Sequence, residues 1–511
     1  MKFFGADFFI WGLYDGLMVW SGSALLSAAF LVLGFTLFEA LLFPLLAFLG
    51  FQSAVWWKFG TAETIGMPML AALLLLSALG ARRRSLLIDA AFTIVAIVLM
   101  LTKESFLVFI PAALFLKVWL EKRESGKGWF ETAKLSALPV LVLLSWLGGQ
   151  LLFIKFYVKS TGIGYAGYYG FHFVPFIRAL ESYLLLTQAW VIPAGLALAW
   201  SGWPDKGRKF VAGLTPLFIF LALALLPQAL LHARSGVGER YLFPGAFATA
   251  FTAVFLMKLV RENMDRVAPA SPARLYAGWA AAAVFIVAGA WTMRRGGLDL
   301  TFIGPYPGLS VSSVAAWLHH ESGRSVFIGF IALLVFSAAR SRNSLRPYSQ
   351  KAFFGLLVAW AVVFNFTIAF DKATGSAFEG KTTSEWLSSI EKNTGKDDLI
   401  AVVADPAFNH EWAHSINMYL SVKMGRSNVH AYPVLTSRSY DPFHQTLIKS
   451  FGRSYKEKRI RGQDKLQTAR AFVIFPGAET KFLSDASGWF RAGMFTRYVN
   501  ESGFVSYYRH L

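Results

Sequence analysis

Long apolar runs recur through most of this chain. After a stretch at 23–52 come runs at 65–79, 86–102, 105–119, 135–154, 180–200, 210–231, 241–257, 276–292, 325–339 and 352–370. Many approach the roughly 20 residues that a helix needs to cross a bilayer, where every backbone polar group must be paired within the protein. The chain is 55% hydrophobic and only 15% charged, against about 25% charged in soluble domains. The fold class expected is therefore a polytopic α-helical membrane protein. It has about 12 spans, or 13 if Met1–Trp20 also crosses. Ser23 to Gln52 is too long for one simple span, and Glu39 in its middle predicts a hairpin of two short helices turning there. Trp56, Trp57 and Lys58 read as an interfacial belt.

Charge sets the expected orientation. One set of loops holds Arg82, Arg83 and Arg84, then Lys117, Lys122, Arg123, Lys127 and Lys134, then Lys206, Arg208 and Lys209. It continues with Lys258, Arg261, Arg266 and Arg274, and with Arg340, Arg342, Arg346 and Lys351. The alternate loops are poorer, so the first set is expected on the cytoplasmic side of a cell (inner) membrane. The same rule accounts for the net charge of +19 without nucleic acid, which is not an expected partner. There is no cysteine, which excludes disulfides, Cys-ligated zinc and a thiol nucleophile. Met1–Trp20 carries Asp7 and Asp15 and lacks a small-residue cleavage site, so no cleavable signal peptide is expected.

From Asp371 the apolar runs shorten and alternate with polar residues. Leu399–Asp405 and Ala471–Phe475 read as buried strands, Phe504–Tyr508 as a last one. Glu411–Lys423 reads as an amphipathic helix with Trp412, Ile416, Tyr419 and Leu420 on one face. The division expected is a membrane domain at 1–370 and an extracytoplasmic α/β domain at 371–511.

Ionisable groups at membrane depth are costly, so each one is a functional candidate. The outward acids are Asp7, Asp15, Glu63, Glu104 and Glu239. Asp7 and Asp15, eight apart, share a face if their segment is helical. One could be the base that deprotonates an acceptor hydroxyl, or could ligate a divalent cation, magnesium or manganese, through hard oxygens. The plainer alternative is an interfacial helix with solvated acids. The segment His232–Pro244 joins two apolar runs and carries Arg234, Glu239 and Arg240. A guanidinium fork matches phosphate oxygens, which makes Arg240 a lipid-phosphate ligand, with Arg234 and His232 behind it. Lys103, in the Thr102–Ser105 break, is a second phosphate ligand with Glu104 orienting it; an ion pair capping a helix junction explains the same residues. The outward loop 155–178 carries Tyr157, Tyr165, Tyr168, Tyr169 and His172 among glycines. Those side chains suit sugar or lipid contact, and an aromatic belt equally. His410 and His414 complete an H-E-x-x-H pattern with Glu411, but no third zinc ligand follows at a diagnostic spacing, so a zinc hydrolase is not expected.

Several pieces together resemble the GT-C glycosyltransferases. They are the apolar hairpin at 23–52, the outward Thr61, Glu63 and Thr64, the LTKES break, the GERYLFP segment, and an outward α/β domain containing DDLIAVVADP. The likeness is greatest to the dolichyl-phosphate-mannose protein mannosyltransferase-like group. It implies a sugar moved, with inversion, from a polyprenyl-phosphate donor to a glycan, lipid or protein acceptor outside the cytoplasm. Asp7 or Asp15 would be base or metal ligand, and Lys103 and Arg240 would hold the phosphate. The family's first span and long first loop with paired acids have no counterpart before Ser23. Either the chain begins late, or Met1–Trp20 stands in for both. Two other classes compete. A lipid-linked-substrate transporter or flippase would more often show paired repeats, and none is visible. A non-catalytic envelope-assembly subunit would tolerate loss of Asp7 and Asp15.

Overall fold

The computed structural model describes residues 8–57, 62–158, 173–187, 189, 191–192, 196, 208–232, 241–263, 365–405, 410–434 and 466–510. Two compact units separate: Met1–Gly149 with Phe171–Thr374, and Gln150–Gly170 with Gly375–Leu511. The expected spans at 276–292 and 325–339, and nearly all of 352–370, lie outside the described residues.

The first unit is helical. Its elements are α1 (Phe8–Val32), α2 (Leu37–Phe48), α3 (Ala62–Arg82), α4 (Leu86–Thr102), α5 (Glu104–Leu107), α6 (Ile110–Ser125), α7 (Trp129–Leu135) and α8 (Ala137–Phe153). These are followed by α9 (Phe173–Leu186), α10 (Arg208–His232) and α11 (Phe243–Asn263). Gly12–Val32, Ala62–Arg82, Ala137–Tyr157 and Gly213–His232 are long and apolar enough to cross a membrane by length and composition, and Leu37–Phe48, Leu86–Thr102 and Phe243–Leu259 are shorter apolar helices.

The hairpin turns before Glu39, around Gly34. α1 continues unbroken through Trp20 and Ser23 and stops at Val32 in a Schellman motif. Gly34 is left-handed (φ +75), its N–H bonds to Leu31 O, and the Phe35 N–H bonds to Phe30 O, each at 3.0 Å. The accompanying apolar contact is between the Phe30 and Phe35 rings, 4.3 Å apart. Thr36 then opens α2 with a capping box: its hydroxyl accepts from the Glu39 N–H, and Glu39 returns a carboxylate to the Thr36 backbone. Glu39 therefore begins a helix rather than marking the bend. Trp56 also departs from expectation. It is buried, its indole N–H donates to Phe48 O at 3.3 Å, and its ring meets Phe48 edge-on.

α1 and α3 run parallel, with Gly22 against Phe48 and Pro68 near the middle and the Arg82 guanidinium donating to Val32 O at the far end. Aromatic packing ties α1, α2, α6, α10 and α11 together. Phe30 stacks on Phe43 at 4.1 Å, Phe251 meets Phe30, Phe220 and Trp119, and Phe109 meets Phe247. Helices that meet in lipid gain little from the hydrophobic effect, so interlocking shape of this kind has to hold them.

The second unit contains a five-stranded sheet. α12 (Thr367–Asn393), which runs unbroken through the expected boundary at 370, is followed by β1 (Ile400–Ala404), α13 (His410–Met418), β2 (Val429–Pro433), β3 (Ala471–Ile474), α14 (Glu479–Asp485), β4 (Phe495–Val499) and β5 (Val505–Arg509). The order is β2-β1-β3-β5-β4, parallel for β2, β1 and β3 and antiparallel from β3 onward. β1 is buried on both faces, which is why IAVVA is apolar throughout instead of alternating. Ile400, Val402 and Ala404 pack with Trp386 and Ile390 of α12 and Ile416 of α13. Ala401 and Val403 pack on the other face with Phe472 and Phe482 of α14. α13 is shorter than expected: α-helical geometry ends at Met418 and Tyr419–Lys423 form a π-helical turn.

Candidate functional site

The two ends of the first unit differ in how they handle charge. At the end where α1 and α3 finish and α4 begins, Lys258, Arg261, Arg82 and Lys117 each find partners. Lys258 donates to Leu33 O and Gly34 O at 2.7 and 3.2 Å, which closes the carbonyl end of α1. Arg261 meets Glu39 at 2.7 Å and Arg82 meets Glu124 at 3.7 Å. Lys117, expected in a solvated loop, is instead fully buried inside α6. It bridges Asp89 of α4 at 2.7 Å and Glu121 one turn along its own helix, and Glu121 also accepts from Ser136.

The opposite end gathers a different set of groups. α4 stops at Thr102, whose hydroxyl turns back onto Leu99 O. Lys103 is extended (φ −160, ψ 147) and serves at once as the last cap of α4 and the first of α5. Its carbonyl accepts from the Phe106 and Leu107 N–H groups, which ties the break to the start of α5. The Lys103 ammonium lies 3.3 Å from Glu104 and 5.5 Å from the Tyr241 ring centre. Glu63, in the first turn of α3, is buried, and Gly66 one turn on packs against Phe106 of α5.

Tyr241 is positioned by its neighbours. Its ring stacks on His232, the last residue of α10, at 4.5 Å and 11°. Its carbonyl accepts from the hydroxyl of Tyr183, a fully buried residue of α9, at 3.2 Å. Gln228, one turn before His232, donates to Ser105 O and so ties α10 to α5. The starts of α3, α5 and α11 and the ends of α4 and α10 thus come together near a partly exposed ammonium that meets a carboxylate and an aromatic ring.

Asp15 belongs to the same end. Gly22 of α1 sits opposite Pro68 of α3, so seven residues earlier, about 10 Å along parallel axes, Asp15 is level with the start of α3. It is buried, and its Oδ1 has no hydrogen-bond partner among the described residues. It lies within a spanning-length helix instead of a separate interfacial segment.

Of the other residues singled out by sequence, Asp7, Arg234, Glu239, Arg240, Tyr165, Tyr168, Tyr169 and His172 lie outside the described residues, as do the side chains of His410 and His414. Among the described residues no group of three or more His, Asp or Glu side chains is placed to hold a metal ion. Lys103 and Glu63, read from sequence only as residues of two separate outward segments, are brought together. Ser105 reads from sequence only as the end of the Thr102–Ser105 break, and Tyr183 and Gln228 have no counterpart among the sequence candidates. Gln228 could have been one, because an amide inside an otherwise apolar run is the kind of costly group that marks function.

No known family model matches the sequence, and no curated protein matches it. Two solved structures show a likeness, both of ArnT from Cupriavidus metallidurans. The form bound to undecaprenyl phosphate is 15% identical over 99% of this chain and 85% of that one, with a TM-score of 0.45. The apo form is 15% identical over 97% and 83%, with a TM-score of 0.47. At these values the activity has to be reasoned from the residues of this chain.

Proposed function

We propose that this protein is an integral membrane glycosyltransferase that moves a sugar from a polyprenyl-phosphate donor to an acceptor at the outer face of the membrane. The observation that carries the reading is the Lys103 ammonium. It is held at a helix break beside Tyr241 and Glu104, at the end of the bundle opposite the Lys117 and Arg261 ion pairs. The basic end suits the cytoplasmic side, so Lys103 faces outward, where a lipid headgroup would lie.

The chemistry follows from that placement. The acceptor oxygen attacks the anomeric carbon, the bond from that carbon to the phosphate oxygen breaks, and the configuration inverts. The acceptor proton passes to a carboxylate, and Asp15, buried at this end with one unpaired oxygen, is proposed to take it. The leaving polyprenyl phosphate gains negative charge, which Lys103 stabilises. Arg240 and Arg234, in the stretch of chain between His232 and Tyr241, are proposed to share that phosphate. Tyr165, Tyr168, Tyr169 and His172 are proposed to contact the substrate. A divalent cation at Asp7 or Asp15 is the alternative to a simple base.

The test is stabilisation of the detergent-purified protein by polyprenyl phosphate, since a ligand that binds only the folded state raises apparent stability. Wild type should be stabilised, and Lys103→Ala should bind at least about tenfold more weakly, as expected for loss of a charge-assisted contact. Asp15→Asn should keep the lipid-induced shift and lose transfer. An absent shift in wild type moves the protein to the non-catalytic envelope-assembly class.

A further inference from the structure

Besides Asp15 Oδ1, three side-chain oxygens at the Lys103 end are buried without a hydrogen-bond partner among the described residues: Glu63 Oε1, Ser105 Oγ and Gln228 Oε1. Their residues are 3%, 1% and 0% exposed. They come from three elements, α3, α5 and α10, and other contacts bring them to one place. The Gln228 amide nitrogen donates to the Ser105 carbonyl. Gly66, one turn along from Glu63, lies so close to the Phe106 ring that a Cβ there would overlap it, which presses the start of α3 onto α5. Lys103 stands two residues before Ser105.

A buried polar atom left unpaired is costly, and native proteins keep few of them. Three in one locality, from separate elements, point to a ligand that completes them. Their chemistry says which kind. The carboxylate and amide oxygens only accept, and the serine hydroxyl can do either. The missing partner must therefore supply several hydrogens, as a ring bearing hydroxyl groups does. A ligand carrying its own carboxylate would meet Glu63 with like charge.

We propose that Glu63, Ser105 and Gln228 form the subsite that holds the sugar of the donor through its hydroxyl groups, and that this sugar is neutral rather than a uronic acid. The assignment rests on the glycosyltransferase reading: with the donor phosphate on Lys103, the attached sugar is brought beside these oxygens.

The experiment compares binding of three lipids to the full-length protein in detergent. They are a short-chain polyprenyl phosphate, the same lipid carrying glucose, galactose or mannose, and the same lipid carrying glucuronic acid. At least one neutral sugar should tighten binding by about tenfold over the bare phosphate, the scale of one hydrogen bond to a charged group. Glucuronic acid should add less. Ser105→Ala, which removes only a hydroxyl, should keep binding of the bare lipid phosphate and lose most of the sugar increment, and Glu63→Gln should lose most of that increment relative to its own binding of the bare phosphate. Glu63→Gln should also narrow the gap between hexose and hexuronate. If bare polyprenyl phosphate fails to bind wild type, the underlying reading fails. If it binds but no hexose adds affinity, or glucuronic acid adds as much, or both variants leave the increment intact, the subsite is overturned while the lipid-phosphate reading stands.

Discussion

Replacing Lys117 with methionine tests how this bundle tolerates charge in its interior. The side chain keeps its length and loses its ammonium. In wild type that ammonium is fully buried, 2.7 Å from Asp89, in contact with Glu121 and 5.3 Å from the centre of the Phe92 ring. At an effective dielectric of about 20, two unit charges at that separation attract by about 6 kcal/mol, most of which offsets the desolvation of the groups. Lys117→Met leaves two buried carboxylates facing each other without a cation. Breaking a buried pair costs about 3–5 kcal/mol, and with one cation serving two acids the loss belongs near the upper figure. Neutralising the whole cluster in the triple variant Lys117→Met, Asp89→Asn, Glu121→Gln should return stability to within about 1 kcal/mol of wild type, because a neutral replacement pays no desolvation. The assay is reversible unfolding in mixed detergent micelles, with thermal melts as a second readout. The reasoning is refuted if the single variant loses less than about 1 kcal/mol, or if the triple variant is no more stable than the single.

Three further outcomes are expected. Gly66→Ala forces a methyl group into the space of the buried Phe106 ring. It should lower stability by about 1–3 kcal/mol and weaken polyprenyl-phosphate binding; an unchanged melt and unchanged binding would show that the contact is looser than described. Trp386 is fully buried against Phe504 and Phe475, and its indole N–H donates to Ser506 Oγ at 2.7 Å. Trp386→Ala should cost about 3–5 kcal/mol, and Trp386→Phe roughly 1–2 kcal/mol because Ser506 loses a partner; hydrogen exchange at β1 and β3 amides reads both. The paired hydrogen bonds from Arg497 hold the Glu479 carboxyl below its usual range, against the opposing effect of burial and with help from the Tyr507 hydroxyl. A carboxyl so depressed contributes stability that is complete above the unfolded value of about 4.3 and is lost as pH falls through the folded value. Protection of β4 and β5 amides should therefore fall more steeply on acidification in wild type than in Glu479→Gln, and equal slopes would count against the pairing.

Hydropathy and length placed α3, α4, α8 and α10 within a few residues, because lipid accepts few backbone solutions, whereas α9 (Phe173–Leu186) begins well before the run expected at 180–200. Apolar continuity likewise identified β1, β3 and β5, whose residues are mostly buried. β2 and β4 escaped notice because VHAYP and FTRYV are partly polar, and their strand state depends on neighbours that pair with them. The turn between α1 and α2 was legible as Gly34 followed by the Thr36–Glu39 capping box, yet the midpoint acid drew attention instead. Lys117 could not be told from a solvated loop lysine, since its burial depends on Asp89, twenty-eight positions away, arriving on a neighbouring helix. The site shows the same division. Lys103 and Asp15 stood out as ionisable groups in apolar surroundings, which one residue and its flanks can reveal. The meeting of Glu63, Lys103, Ser105, Gln228 and Tyr241 was settled by helix packing, because only the interlocking of side chains between helices decides which of many helix ends lie side by side.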